Sequence, residues 1–392
     1  MKRNDANFLK NSNQLTIGID ASRNRSGGAK AHLTGILSEC DPGEYGIQVI
    51  HVWAFRALLD QLPDSPWLIK HNPIALEQPL FKQLVWQATS LASEVKSAGC
   101  DILFTTDAST LCRFKPMVVL SQDLLSYEPG MMRYYGFGLA YLRLKAILVL
   151  QNLAFRRAAS VIFLTHYAAR VIQKSCGLLP SIVCIPHGVD ATFKKSQHVN
   201  TWPVAGERSI RCIYVSNAEM YKYQWMVVKA IAALRQRGHS LSLTLVGGGK
   251  GPAQKLLENS IALLDPNRIF VEQLDFLPKD QLPTHLAEAD LFVFASGCET
   301  FGITLLEAMT VGLPIACSDR SSLPETLQDG AVYFNPENAD SIVAAIERII
   351  QSPALRLAIS QRAKALSEQY SWKRCADETF AFVTETYLRT QT

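Results

Sequence analysis

Short apolar runs alternate along the chain with longer segments in which apolar residues recur at helical spacing. In the first half these runs, rich in Val, Ile and Leu, span residues 15–20, 46–53, 102–106, 117–123, 160–165 and 182–186. A second series spans residues 211–216, 241–246, 268–274, 291–296, 314–318 and 331–335. Near-continuous apolar runs between helices are typical of parallel strands that are covered on both faces. Each half therefore predicts its own doubly wound, Rossmann-like α/β sheet.

A polar stretch separates the two series. It covers residues 193–207 and contains Pro203 and Gly206, which favour a linker. We predict an N-terminal domain over 1–192, a C-terminal domain over 208–372, and a helix over 373–392 that packs back on the first domain. The 392 residues suit two domains of ordinary size. Because ligands bind beyond the carboxyl ends of such strands, we expect the site in a central cleft between the two domains.

The composition bounds the class of protein. With 48% hydrophobic and 19% charged residues the chain is globular. Residues 1–14 lack the apolar core of a secretory signal, and the apolar stretch 139–155 is interrupted by Arg143 and Lys145. The nine cysteines include no CxxC pair, which argues against zinc and against a disulfide framework. We therefore expect a cytoplasmic protein.

Charge adds one candidate partner and excludes another. Residues 1–190 carry 19 Lys and Arg against 14 Asp and Glu. This excess is too small for nucleic-acid binding. Residues 131–157 mix basic and aromatic side chains on a predicted helix, which could touch an anionic membrane surface from the cytoplasmic side. The alternative is a helix between domains whose apolar side belongs to the core.

The segment 291–314 carries the richest chemistry. A strand ends near Ser296, and a helix is predicted from about Phe301 to the residue before Gly312. Glu299 precedes this helix and Glu307 lies about two turns further on, so their carboxylates could reach the sugar and the ribose across a diphosphate. The first helical amides would face that diphosphate. The alternative is a pair of solvated surface carboxylates.

A second candidate follows the first strand of the C-terminal half. Lys222 comes after Asn217 where the strand leads into a helix, so its charge could neutralise a diphosphate. The alternative is a solvated lysine. Two glycine-rich turns, 26–29 and 247–251, also follow strands, and of these we expect Gly28 to contact ligand.

These residues together resemble the family 4 glycosyltransferases, which are retaining enzymes with the GT-B fold. The resemblance covers 291–309, 312–315 and 324–325 most closely. It implies that Glu299 contacts the donor sugar, Glu307 the ribose and Lys222 the phosphates. It further implies donor contacts at the following positions: Gly28, Asn217, Leu277 (backbone, to the nucleobase), Phe301, Gly302 and Ile303.

The sequence departs from that family at two positions. Asn217 stands where the family has an Arg, so one positive charge is missing. Gln122 stands where many relatives have a His, and an amide cannot act as acid or base. Asp123 is then the nearest ionisable candidate, although an Asp at a strand end is often a helix cap. His187, in place of the family's Asn, is interpreted as structural.

The resemblance extends to bacterial polysaccharide and O-antigen mannosyltransferases. We expect a metal-independent, retaining transferase without a cofactor, which moves mannose from GDP-mannose or another nucleotide diphosphate sugar to a glycan or lipid-linked acceptor. Retention needs no protein nucleophile if the leaving phosphate accepts the acceptor's proton. Two alternatives stay open: a sugar-nucleotide 2-epimerase of the same fold, and a non-catalytic subunit that binds nucleotide sugar or glycan.

Overall fold

The computed structural model describes residues 15–25, 27–198, 202–204, 207–278 and 280–391. The polar segment 1–14, Ser26 of the first glycine-rich turn, and residues 199–201 and 205–206 of the predicted linker lie outside the described residues. The chain forms two compact units. Unit 1 contains the chain up to Tyr127, Tyr135–Gly188 and the residues from Ser371 onward, and unit 2 contains Glu128–Tyr134 and Val189–Tyr370.

Unit 1 is a parallel sheet with helices in its connections. Its strands are β1 (Leu15–Asp20), β2 (Ile47–Trp53), β3 (Leu68–His71), β4 (Ile102–Thr105), β5 (Met117–Leu120), β6 (Ser160–Phe163) and β7 (Ile182–Cys184). Its first six helices are α1 (Gly27–Ser38), α2 (Arg56–Leu59), α3 (Leu80–Thr89), α4 (Leu91–Ser97), α5 (Leu139–Arg157) and α6 (His166–Cys176). The strand order is β3-β2-β1-β4-β5-β6-β7, so the direction of winding reverses between β1 and β4.

Unit 2 repeats this plan with six parallel strands. They are β8 (Ile210–Val215), β9 (Leu241–Val246), β10 (Val271–Leu274), β11 (Leu291–Phe294), β12 (Ile315–Ser318) and β13 (Val332–Phe334). Its helices are α7 (Ala191–Lys195), α8 (Gln224–Gln236), α9 (Pro252–Leu264), α10 (Leu282–Glu288), α11 (Ile303–Val311), α12 (Leu323–Leu327), α13 (Ala339–Gln351) and α14 (Pro353–Ser367). The order β10-β9-β8-β11-β12-β13 reverses between β8 and β11.

The predicted strands are confirmed in both units, and the two sheets are doubly wound as expected. Strands such as β4, β5, β6, β11 and β12 are buried along their whole length, which is why their sequences are apolar without alternation. The strand β3 was not predicted. It lies at the sheet edge and ends in Lys70 and His71, so it lacks the apolar run that revealed the others.

The last helix, α15 (Trp372–Gln391), belongs to unit 1 and packs against α1. Trp372 lies directly over Gly35, where a Cβ atom would come within 2.3 Å of the indole ring. The Tyr45 hydroxyl donates to Asp377 Oδ1 at 2.5 Å. None of the described helices is both long enough and apolar enough to cross a bilayer.

Candidate functional site

Two candidate residues of unit 2 follow the strands between which the winding reverses. Lys222 ends a short 3-10 helix (Met220–Lys222) after β8, and Glu299 lies in the loop after β11. The carboxyl ends of neighbouring parallel strands meet at one edge, and ligands of doubly wound sheets bind at such a reversal. The fold thus brings together two residues that are 77 positions apart in sequence.

Lys222 and Glu299 form an ion pair between Nζ and Oε1. Only 10% of the lysine side chain and 15% of the glutamate side chain are exposed. The Lys222 Nζ also lies 5.2 Å from the centre of the Tyr221 ring and 5.5 Å from that of Phe294. A charge held over two aromatic faces in a largely dry setting interacts strongly with any nearby anion.

Hydrogen bonds fix the backbone on the lysine side of this pair. The buried Tyr214 donates its hydroxyl to the Lys222 carbonyl at 2.6 Å. The next residue, Tyr223, adopts a left-handed backbone with φ of 46°. Non-glycine residues rarely adopt this conformation, so the surroundings must hold it. Glu219, half-buried just before Lys222, has its pKa raised by burial, while the positive charge of Lys222 acts in the opposite direction.

Two serines hold the backbone on the glutamate side. Ser321 Oγ accepts a hydrogen bond from Glu299 N at 3.0 Å, and the hydroxyls of Ser321 and Ser322 lie 2.9 Å from the Glu299 carbonyl oxygen. Neither serine was predicted from the sequence. Their signal was position, because they follow the predicted strand at 314–318, which is the neighbour of β11 in the sheet.

Helix α11 begins immediately after this loop. Gly302 has φ of 90°, which only glycine adopts readily, and it directs the chain into the helix. The first hydrogen bond of the helical ladder runs from Leu306 N to Gly302 O at 3.1 Å, so the amides of Ile303 and Thr304 have no acceptor inside the helix. These amides and the positive end of the helix dipole suit an anion.

Two further candidates flank that helix start. Phe301 directs its ring into the core, 5.4 Å from the ring of Tyr370, so any ligand contact there involves its backbone. Glu307 is half-buried within α11. It lies five residues after Gly302, which is about 7.5 Å along the axis at 1.5 Å per residue.

The remaining unit 2 candidates lie in loops at the carboxyl ends of β8, β9 and β10. Asn217 is exposed and Leu277 is half-buried. Gly247 has a packing role, because a Cβ atom there would lie 2.5 Å from the Ser216 carbonyl oxygen. The glycines of this loop therefore let the loops after β8 and β9 approach each other closely. This packing explains the glycines without any contact to a ligand.

The two unit 1 candidates lie at the carboxyl edge of the first sheet. Gly28 is in the first turn of α1, where an added Cβ atom would meet nothing within 4 Å. Asp123 is exposed after β5, and its Oδ1 accepts from Leu125 N at 3.0 Å, as in a capping turn. The neighbouring Gln122 donates to the Thr106 carbonyl at 2.9 Å.

A buried carboxyl group at this edge was not predicted. Asp20 ends β1, and its oxygens accept from the Ser22 hydroxyl at 2.6 Å and from Gln87 Nε2 at 2.7 Å. Burial raises the pKa of Asp20, and the hydrogen bonds from Ser22 and Gln87 oppose that rise. Its signal in the sequence is again the position at a strand end, but an Asp that closes an apolar run is not distinguished from the rest of the strand.

His187 lies in a buried aromatic cluster of unit 1. Its Nδ1 is 3.0 Å from Nδ1 of His32, and both rings pack near Trp372. Burial lowers the pKa of His187 to about 3. This packing agrees with a structural role.

Metal-ligating residues do not cluster in the part of the chain that the structure describes. No group of three or more His, Cys, Asp or Glu residues there is arranged to hold a metal ion.

Comparison with known proteins finds one family model that matches most of unit 2. Residues 203–366 match the family described as "Glycosyl transferases group 1". This range contains β8 to β13 and every unit 2 candidate.

Three curated relatives are mannosyltransferases by name. The O-antigen chain mannosyltransferase B of Escherichia coli is 36% identical over 110 residues, 28% of this chain and 29% of the relative. The MMP alpha-(1->4)-mannosyltransferase of Mycolicibacterium hassiacum is 28% identical over 65% of this chain and 58% of its own. The GDP-mannose-dependent alpha-(1-6)-phosphatidylinositol monomannoside mannosyltransferase of Mycolicibacterium smegmatis is 26% identical over 54% and 59%. The matches thus span less than two thirds of each relative.

Solved structures resemble the chain over nearly its whole length. Sucrose-phosphate synthase from Thermosynechococcus elongatus has a TM-score of 0.74 at 16% identity, covering 96% of this chain and 100% of its own. Anabaena HepE in complex with UDP and glucose has a TM-score of 0.68 at 21% identity over 93% and 98%. WaaG, a glycosyltransferase involved in lipopolysaccharide biosynthesis, has a TM-score of 0.68 at 15% identity over 94% and 99%.

Proposed function

We propose that this chain, which has the GT-B fold and resembles the family 4 glycosyltransferases, transfers a sugar from a nucleotide diphosphate donor. Polysaccharide mannosyltransferases are among the proteins that it resembles. The observation that carries the proposal is the Lys222–Glu299 pair at the winding reversal of unit 2, next to the start of α11. The donor is proposed to be GDP-mannose and the acceptor a glycan or lipid-linked oligosaccharide of the cell surface. The names of the relatives support this choice.

The donor would lie along the edge of unit 2. The diphosphate would accept hydrogen bonds from the amides of Gly302, Ile303 and Thr304 at the start of α11. Glu299 would accept from sugar hydroxyls and Glu307 from ribose hydroxyls. The loops at Asn217 and Leu277 would contact the phosphate and the nucleobase through backbone and amide groups.

Lys222 would supply the charge for departure of the nucleotide. An ammonium group has three N–H donors, and one of them serves Glu299, so others can turn toward the diphosphate. Negative charge grows on the leaving phosphate as the bond to the sugar breaks. A cation fixed in a poorly hydrated site stabilises this charge more than the starting state, and that difference accelerates the reaction.

The transfer is proposed to retain the anomeric configuration and to need no metal ion. The amide of Gln122 cannot accept a proton, so the leaving phosphate would take the acceptor's proton on the face of attack. Asp123 and Gly28 of unit 1 remain proposed contributors, Asp123 as the nearest ionisable side chain and Gly28 through its amide.

A donor panel tests the transferase proposal. The protein is incubated with GDP-mannose, UDP-glucose or ADP-glucose in excess chelator, and the products are followed by proton and phosphorus NMR. We expect release of GDP, with the first-formed sugar product keeping the donor's α-configuration. An inverted product would contradict retention, and activity that appears only with added Mg²⁺ or Mn²⁺ would contradict metal independence. Conversion of the donor to its 2-epimer, still nucleotide-linked, would establish the epimerase alternative.

The proposed contact with a membrane rests on helix α5 of unit 1. Leu139, Leu142, Val149 and Leu153 are 86%, 60%, 54% and 38% exposed, and their spacing places them on one side of the helix. An exposed apolar stripe with Arg143 and Lys145 beside it suits the surface of an anionic bilayer, where a lipid-linked acceptor would lie.

The stripe continues toward a basic cavity. One helical turn beyond Leu153, Arg157 lines a cavity of about 280 Å³ together with Arg113, Lys115 and Phe114. Within the described residues, no carboxylate forms an ion pair with any of these three basic side chains. A lipid phosphate would satisfy them.

Vesicle sedimentation tests this contact. We expect binding to vesicles that contain phosphatidylglycerol and little binding to pure phosphatidylcholine, with loss at high salt. Leu142→Asp should abolish binding, whereas Leu178→Asp, at a still more exposed leucine off the stripe, should not. If Leu142→Asp and Leu178→Asp bind the vesicles equally well, helix α5 is not the membrane-binding surface.

A further inference from the structure

The segment Glu128–Tyr134 belongs to unit 2, although the chain on both sides of it belongs to unit 1. One end of the segment connects to the backbone of Glu299, and the other end connects to the residue next to Lys222. Each connection runs through a single side chain of unit 2. The sequence predicts one helix over 131–157, but Met131–Tyr135 form a short 3-10 helix that is separate from α5. The proposed chemistry assigns Glu128–Tyr134 no part.

At one end, Glu128 reaches the glutamate of the pair. Glu128 is 7% exposed, and the Ser321 hydroxyl lies 2.8 Å from its Oε2. The same hydroxyl accepts from the Glu299 amide and lies against the Glu299 carbonyl. Ser321 itself has φ of 59°, so this contact helps to hold an unfavourable backbone conformation.

At the other end, Tyr134 reaches the lysine. Its hydroxyl is 2.7 Å from the hydroxyl of Tyr223, the left-handed residue that follows Lys222. Tyr223 also donates to Glu337 Oε1 at 2.9 Å, and Arg133 forms an ion pair with that oxygen at 2.6 Å. Burial would raise the pKa of Glu337, but the hydrogen bond from Tyr223 and the charge of Arg133 hold it below its ordinary value.

The ring of Tyr223 is fixed from a third side. A Cβ atom at position 297 would come within 2.8 Å of Tyr223 Cε2, so only Gly297 allows the loop before Glu299 to pass under the ring. The Gly297 amide donates to the Tyr221 carbonyl at 2.7 Å, which joins the two loops. A shift of Tyr223 therefore moves the backbone on both sides of the ion pair.

We propose that Glu128–Tyr134 is a positioning segment, in which Tyr134 acting through Tyr223 and Glu128 acting through Ser321 fix the distance and direction of the Lys222–Glu299 pair. In so far as the pair binds the donor diphosphate, this inference rests on the proposed function. Groups that stabilise developing charge must be held within a few tenths of an ångström, because their energy depends on placement before the reaction. Neither Tyr134 nor Glu128 touches the donor in this scheme.

The test measures the pair directly as well as the reaction. Tyr134→Phe removes the hydroxyl contact, and Glu128→Gln weakens the other contact by replacing a charged acceptor with a neutral amide oxygen, both with little change in volume. Tyr333→Phe is the matched control, since its hydroxyl donates to the carbonyl of Gln328, another left-handed residue of unit 2, at 2.6 Å without contacting the pair. Thermal denaturation checks that all three variants fold.

The first measurement is the rate at which acetic anhydride acylates Lys222, followed by mass spectrometry. We expect this rate to rise about three- to tenfold in Tyr134→Phe and Glu128→Gln, because loss of one supporting hydrogen bond, or of the charge that strengthens it, frees the amine. The rate should stay unchanged in Tyr333→Phe. Unchanged acylation in both segment variants would overturn the proposal, and so would an equal rise in the control. This measurement decides the matter even if the chain transfers no sugar, which would defeat the proposed function alone.

The second measurement is a double-mutant cycle on sugar transfer. Tyr134→Phe should lower kcat about three- to tenfold with a smaller change in donor KM, again the scale of one hydrogen bond. In a Lys222→Ala background the same substitution should have no further effect, because its path to the reaction is gone. Additive losses would mean a general structural role and would contradict the proposal.

Discussion

The two sheets reverse their winding at equivalent places, between β1 and β4 in unit 1 and between β8 and β11 in unit 2, but the two edges carry different chemistry. In unit 1 the acid at the reversal, Asp20, receives its hydrogen bonds from neutral groups and is buried. In unit 2 the acid, Glu299, is paired with an ammonium group that keeps further donors. Equivalent topology therefore identifies two candidate edges, and the side chains distinguish them. The ammonium group in unit 2 can still donate hydrogen bonds to a ligand, whereas the carboxylate of Asp20 in unit 1 already accepts hydrogen bonds from its own unit.

The sharpest way to break this comparison is to remove the cation. Lys222→Ala should lower kcat/KM by about 2–4 kcal/mol of transition-state stabilisation, the range for one electrostatic donor at developing charge. It should also lower the free energy of unfolding by about 3–5 kcal/mol, because Glu299 is left without its partner in a mostly buried place. Steady-state kinetics and chemical denaturation measure the two effects.

A neutral pair separates those two effects. Lys222→Met combined with Glu299→Gln removes both charges together, so the unfolding free energy should return close to that of the wild type while transfer stays lost. Recovery of activity in this double variant would show that the charge of Lys222 does no chemistry.

A smaller effect is expected at Glu307, further along the same edge. Glu307→Ala should weaken donor binding by about 1.5–3 kcal/mol, the scale of a hydrogen bond to a charged group, and leave kcat nearly unchanged because ribose hydroxyls do not alter during transfer. Calorimetric titration with GDP measures the affinity. A loss confined to kcat would contradict the ribose assignment.

The smallest effect on catalysis is expected at the other edge. Asp20→Asn should alter kcat far less than Lys222→Ala, since every contact of Asp20 described above lies within unit 1. Its signature should be a pH-dependent stability. Because the folded-state pKa of Asp20 is raised, its stabilising contribution is full below the unfolded value near 3.8 and is lost as pH rises through the folded pKa.

Asparagine does not titrate, so the difference in Tm between Asp20→Asn and wild type should move in favour of the variant as pH rises from 4 toward neutrality. Thermal melts across this range, with Asp64→Asn at an exposed acid as the control, provide the measurement. A constant difference would mean that Asp20 is ionised throughout.

The sequence predicted strands wherever burial on both faces makes them continuously apolar, and it missed β3, whose edge position leaves polar residues in the strand. Lys222 and Glu299 were identified because each follows such a strand in a recognisable motif. Their direct pairing was not predicted. Nor were Ser321 and Tyr134, whose contacts join residues 193 and 89 positions apart and depend on tertiary packing that no local pattern encodes.

Unit 1 has a consequence for how the protein is made. Its helix α15 follows all of unit 2 in the chain, yet Trp372 covers Gly35 on α1 and Thr386 reaches Ser160 at 2.9 Å. A ribosome therefore delivers the whole of unit 2 before the helix that covers α1 is available. Until then the nascent first unit exposes an apolar face, and its burial must wait for the last segment to be translated.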